Sequence, residues 1–186
     1  MNHFSLAADT DISPESYPGL RLLMLHSGRA ELFGPDIRPV PLGPGDAVAA
    51  PCDTPVGIRA FADTVYTEIT FRRDQPMNAA IHPGEIFTLA SLLPTQEGRI
   101  VNMDITHNDT MKMALMSFAP GTGLTDHAAP GQALIIALEG EGIIRYEGQE
   151  YPIRAGESFS FAKGGMHAVR AEKPFKMALI LMLQEA

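Results

Sequence analysis

The sequence predicts an all-β fold built as two tandem units. Its apolar residues fall into short runs: Leu20–Leu25, Ala47–Ala50, Val65–Phe71, Lys112–Phe118, Leu134–Leu138, Ile143–Tyr146, Ser158–Phe161 and Lys176–Leu183. Gly, Pro or Asp separates them, and many short strands with regular turn signals make a sandwich or a barrel. The second observation is an internal repeat. Leu42-Gly43-Pro44-Gly45-Asp46-Ala47-Val48-Ala49-Ala50-Pro51 returns as Ile153-Arg154-Ala155-Gly156-Glu157-Ser158-Phe159-Ser160-Phe161-Ala162. Each copy is an apolar strand end, then Gly and an acid two residues later, then a four-residue strand, and such self-similarity marks a duplicated structural unit. The third observation is the scarcity of helix. Only a short one near Thr88–Leu93 is expected, stopped by Pro94.

Taken in chain order, only the polar residues Met1 to Gly19 precede the first strong strand, too short a stretch for a full set, so the early strands of the first unit are expected to be missing or supplied by a neighbour. A hairpin follows at Leu25-His26-Ser27-Gly28 and is matched later by Leu138-Glu139-Gly140-Glu141. Val65–Phe71 and Lys176–Leu183 close the two units. The polar segment Arg72–Pro83, with its two prolines, reads as the linker. These features divide the chain into residues 1–75, a truncated and degenerate unit, and residues 76–186, a complete barrel preceded by an arm at Gly84–Asp104.

The most specific pattern lies between Gly121 and Ala171. It reads G-T-G-L-T-D-H-A-A-P-G-Q-A-L-I-I-A-L-E-G from Gly121 to Gly140 and G-E-S-F-S-F-A-K-G-G-M-H-A-V-R-A from Gly156 to Ala171. This resembles the paired signatures of the cupin superfamily. Gly121, His127, Gly140, Gly156, Gly164 and His167 fall on the family spacing. The other slots depart from it: Ala129 stands for the second histidine, Ala133 for the glutamate, Ala162 for the proline and Ala171 for the terminal asparagine. The resemblance implies a double-stranded β-helix, the cupin jelly-roll barrel. It is good over residues 80–184, where small single-domain cupins of unassigned activity are similar, and weak over residues 20–72.

In the family a metal usually sits on three imidazoles and a carboxylate. The resemblance therefore implies His127 and His167 as metal ligands, with at most one weakly held divalent ion (Zn, Ni, Fe or Mn), since imidazole suits these metals. The same pair can serve instead as pocket histidines that hydrogen-bond a small organic ligand, because a buried ring nitrogen needs a partner. Gln132, beside the empty glutamate slot, offers a neutral oxygen. Met166 abuts His167 and suits an adaptable apolar wall. Asp126 is expected to point away by strand alternation. A metal-free acid–base role would add a tyrosine, but Tyr146 and Tyr151 are placed near a hairpin rather than in the pocket. Three functions follow: a small-molecule binder, a metal-dependent dioxygenase or isomerase, and a non-catalytic sensor or assembly module.

The first unit is expected to lack a site. Its second-signature histidine slot falls near Val56 and its glycine slot near Asp53, and His26 on the hairpin is expected to be exposed. Cys52 is the only cysteine and reads as a small buried hydrophobe. Met103, Met111, Met113, Met116, Met166, Met177 and Met182 are expected to fill mainly core.

A net charge of -8 argues against nucleic acid, because a binder needs a cationic face to release counterions. The first 80 residues carry 10 acids and 6 bases and the rest 12 and 8, so neither half is basic. No apolar run reaches the ~18 residues of a membrane helix. A polar N-terminus and a single cysteine suit the cytoplasm. Barrel edge strands need covering, so a homodimer is expected, with the Gly84–Asp104 arm crossing over.

Overall fold

The computed structural model describes residues 1–73, 75 and 77–183. The regular structure of the described residues is strand, apart from a single 3-10 turn at Leu89–Leu92 where the short helix is expected. The chain divides into two compact units, the first made of Met1–Gln75 with Ala79–Thr88 and the second of residues 77–78 with the described residues from Leu89 on. Residues Ala79–Thr88, read from the sequence as the end of a linker and the start of an arm, thus pack with the first unit. Asp74 and Pro76 of the expected linker lie outside the described residues.

The N-terminal unit holds β1 (Asn2–Leu6), β2 (Asp11–Glu15), β3 (Arg21–Ser27), β4 (Ala30–Phe33), β5 (Val40–Leu42), β6 (Ala47–Ala50), β7 (Val56–Ala60), β8 (Thr64–Thr70) and β9 (Ile86–Phe87). One sheet runs β1-β8-β3-β6-β9 and the other β2-β7-β4-β5. The early strands expected to be missing are therefore present as β1 and β2. Alternation explains why a polar sequence hides them: β2 buries only every second residue and even those partly. The core between the sheets includes Leu23, Leu32, Val48, Ile58 and Tyr66.

The C-terminal unit holds β10 (Ile100–His107), β11 (Met111–Phe118), β12 (Thr122–Ala128), β13 (Gln132–Tyr146), β14 (Gln149–Arg154), β15 (Ser158–Phe161), β16 (Met166–Ala171) and β17 (Phe175–Met182). β13 serves both layers. Its first half pairs with β15 and β17, and its second half with β14 and β16. The chain changes layer at Gly140, which has φ 76° and whose absent Cβ would lie 2.0 Å from the Pro174 carbonyl oxygen. Only glycine fits there. The core gathers Phe118, Ile135, Phe161, Phe175 and Met177 among others.

The repeat read from the sequence recurs in the hydrogen bonds. In the first unit Leu25 N–H donates to Asp46 O at 2.9 Å and Gly45 N–H to Leu25 O at 2.8 Å. In the second, Ala137 N–H donates to Glu157 O and Gly156 N–H to Ala137 O, both at 2.9 Å. The acid closes each turn: Asp46 Oδ2 accepts from Gly43 N–H at 2.8 Å, and Glu157 Oε2 accepts from Arg154 N–H at 2.7 Å. Each copy also carries a β-bulge on the strand before the turn, between Leu25 and Ser27 and between Ala137 and Glu139.

His26 is exposed, as expected, with Nε2 2.6 Å from Thr67 Oγ1. Cys52 is exposed rather than buried, since it follows the end of β6 in a turn. Met113 and Met177 fill core, whereas Met166 and Met182 are exposed. Among the described residues no helix is long and apolar enough to cross a membrane.

Candidate functional site

Two antiparallel strands set the site. β12 and β16 pair so that His127 lies opposite His167. A bulge between Leu124 and His127 adds one residue to β12, and such a bulge re-aims the side chain that follows it. The two ring centroids are 4.1 Å apart at 52°. His167 is buried and His127 exposed, so the pair runs from the barrel wall out to solvent.

The hydrogen bonds fix which nitrogen carries the proton. His127 Nδ1 is 2.8 Å from the Thr125 carbonyl oxygen and His167 Nδ1 is 3.1 Å from that of Gly165. A carbonyl only accepts, so each Nδ1 is the donor and the neutral ring carries its lone pair on Nε2. Burial pushes the His167 pKa down, the neighbouring His127 adds to this, and the Gly165 carbonyl opposes it. His167 is thereby held neutral. Phe161 stacks on His167 at 4.1 Å and 25°, which fixes the ring plane.

Tyr146 sits at a hairpin, as expected, but it also belongs to this cluster, contrary to the reading that kept it out of the pocket. It is opposite His167 in the β13–β16 register, and its ring centroid lies 5.3 Å from that of Phe161. Its hydroxyl accepts the Ala162 N–H at 3.4 Å. The sequence hides this because the residue that ends β13 at the hairpin to β14 also pairs, on its other edge, with His167 of β16. Tyr151 does stay outside, exposed and donating to Gln149 Oε1 at 3.0 Å.

Two other expected site residues are not brought to the rings. Gln132 is exposed, and its neighbour Ala133 is buried in the core. On alternation the two point to opposite faces of β13, so Gln132 does not replace the missing carboxylate. Met166 is 45% exposed. It precedes inward-facing His167 on β16 and faces out for the same reason. Asp126 points away as expected and is ion-paired with Arg145.

The residues present do not complete a metal cage. Ala129 and Ala133 put buried methyl groups in the remaining slots. Among the described residues, no group of three or more His, Cys, Asp and Glu is placed to hold a metal ion. What the site offers is two adjacent imidazole lone pairs and an aromatic wall. That suits hydrogen bonding to donor groups, or one weakly held divalent ion completed by other ligands.

Comparisons agree with this picture. A family model described as cupin domain matches residues 114–183. No curated protein matches the chain. Among solved structures, the cupin 2 conserved barrel domain protein from Leptotrichia buccalis is 31% identical, with TM-score 0.83, covering 97% of this chain and 81% of that one. A cupin superfamily protein from Desulfitobacterium hafniense DCB-2 is 26% identical, with TM-score 0.50, covering 52% of this chain and 88% of that one. A salicylate 1,2-dioxygenase variant from Pseudoaminobacter salicylatoxidans shares the fold, with TM-score 0.66 at 12% identity, covering 97% and 69%. With a relative this similar over nearly its whole length, and with His127 and His167 brought face to face across paired barrel strands, the chain belongs to the cupin superfamily.

Proposed function

We propose that the C-terminal barrel binds a small organic ligand of apolar or mixed character, anchored by His127 and His167. The observation that supports this is the tethering of both Nδ1 atoms to backbone carbonyls, which leaves two Nε2 lone pairs side by side as acceptors for ligand O–H or N–H groups. Phe161 and Tyr146 supply the apolar wall. On this reading the protein is a two-barrel cupin. It works in the cytoplasm, where a lone exposed thiol forms no structural disulfide, and self-associates as a homodimer that covers barrel edges.

The same tethering favours a second reading, a weakly held divalent metal. A ligating histidine donates its other ring N–H to a carbonyl or carboxylate, as both rings do here. Metal-dependent chemistry of the dioxygenase or isomerase kind would belong to that reading.

Titrations with phenol and with Zn²⁺ separate the two. Under the ligand reading phenol raises the melting temperature by mass action, and His127→Ala and His167→Ala each remove that rise. Under the metal reading Zn²⁺ binds stoichiometrically and both variants lose it. A protein that answers to neither probe at the two rings overturns the site.

A further inference from the structure

The sequence assigns no site to the N-terminal unit, yet this unit has a partly open cavity of about 200 Å³ lined from both its sheets. Register locates it. Glu15 pairs with Val56 on β2 and β7 as His127 pairs with His167 on β12 and β16, after a bulge of the same kind between Ile12 and Glu15. Arg21 lies between Ala50 and Thr70 as Ala133 lies between Phe161 and Leu181. The N-terminal counterparts of the cupin ligand positions are therefore Glu15, Tyr17, Arg21 and Val56.

One end of the cavity is polar. Arg21 is 8% exposed and its guanidinium stacks over Tyr17 at 4.2 Å. It donates to the Val56 carbonyl oxygen at 3.0 Å, but its contacts to Glu68 Oε2 and to the Glu15 carbonyl oxygen are both long, at 3.5 Å. A guanidinium has five N–H donors, so this buried one keeps capacity for another acceptor. Tyr66 is 1% exposed and lines the same cavity. Among the described residues its hydroxyl has no hydrogen-bond partner, and burial, aided by Glu68, pushes its pKa up. That hydroxyl opens onto the cavity rather than being sealed in the core, so a molecule that enters can meet it. The other end is apolar, with Phe4 stacked on Tyr66 at 4.8 Å and Leu23, Leu32 and Ile58 around it.

The charges limit what fits. Arg21 and Glu68 are both nearly buried and cancel. Glu15 is exposed, and its carboxylate takes the Tyr17 hydroxyl at 2.7 Å. An anion entering the cavity would meet Glu68, and a cation would meet Arg21. A neutral head with an acceptor and a donor side by side satisfies both. For size, an engineered apolar cavity of about 150 Å³ holds benzene.

We propose that the N-terminal barrel is a second binding site, for a small neutral molecule with a ring-sized apolar body and a carboxamide-like head, its oxygen accepting from Arg21 and its N–H donating to Glu68. It does not depend on the histidine pair. Calorimetric titration of the full chain with benzamide, benzoate and benzylamine tests it, since the three differ mainly in head charge. Benzamide is expected to bind saturably at one site, about tenfold or more tighter than either charged analogue, a gap of ~1.4 kcal/mol. Val56→Phe, which fills the cavity, should abolish this. Tyr66→Phe, which removes only the free hydroxyl, should weaken it about threefold to tenfold, and His127→Ala should leave it unchanged. Absence of benzamide binding, or binding that survives Val56→Phe or vanishes with His127→Ala, overturns the site. Tighter binding of benzoate or benzylamine overturns the neutral head.

Discussion

The two units share one backbone plan and fill it with opposite contents. Where the N-terminal barrel has Arg21 facing Ala50, the C-terminal barrel has Ala133 facing Phe161. Large faces small in both, but the order is reversed. In the first, the long polar side chain reaches inward beside an open cavity. In the second, an aromatic ring fills the space and leans on His167. The turns, bulges and strand register that both units keep are backbone requirements. The inward side chains near the strand ends are under no such constraint, and there the two units diverge in chemistry.

The largest expected effect tests the polar end of the first barrel. Arg21→Met alone leaves Glu68 as a buried, unpaired charge and should cost about 3–5 kcal/mol in urea denaturation. Replacing both, Arg21→Met with Glu68→Leu, should restore most of that. A single-variant cost under ~1 kcal/mol would mean that the pair is solvated and that the contrast between the barrels is overstated.

Phe161→Ala should come next, at about 3–5 kcal/mol for a large cavity in a packed core, with the His167 ring losing its fixed orientation in NMR spectra. If stability is unchanged, Phe161 does not fill the second barrel as described.

How much of this was legible differs between fold and site. The repeat Leu42–Pro51 and Ile153–Ala162 was readable because its turns need particular residues at fixed offsets, and the same turn hydrogen bonds recur in both units. The His127–His167 facing was readable because the signature spacing places them on neighbouring strands. β1 and β2 were not readable, because strands that bury few side chains, and those only partly, carry little apolar signal. Tyr146 and Gln132 were misplaced because their directions depend on where β13 turns and which of its faces is inward. The first cavity was invisible for another reason: its chemistry rests on Arg21, Glu68 and Tyr66 meeting across two strands, which no local motif records.

A smaller effect probes what the barrels share. Gly28→Ala and Gly140→Ala should each destabilise by more than ~1 kcal/mol, because both glycines have positive φ and an added Cβ would meet a backbone oxygen, at 2.3 Å from Asp63 and 2.0 Å from Pro174. Similar costs in thermal or urea unfolding would support one plan in two copies, and a cost in only one unit would break it.

The smallest effect is in pH. Burial lowers the His167 pKa below the ordinary imidazole value of 6.5. The unfolded chain therefore takes up that proton first as pH falls. Stability should be full above 6.5 and decline as pH drops below it. His167→Gln should flatten part of the slope. His26, exposed as a residue but with its ring partly desolvated against Thr67 and beside His3, is also pushed down and should keep the rest in place. A slope that His167→Gln leaves unchanged would remove the case for a buried neutral ring there.

The most direct measurement is the tautomer of the two facing imidazoles, read from long-range ¹H–¹⁵N correlation spectra above neutral pH. Protons on Nδ1 of both His127 and His167, with Nε2 bare, are the predicted result. A proton on Nε2 of either ring would contradict the account, because the paired acceptors on which binding in the C-terminal barrel rests would not exist.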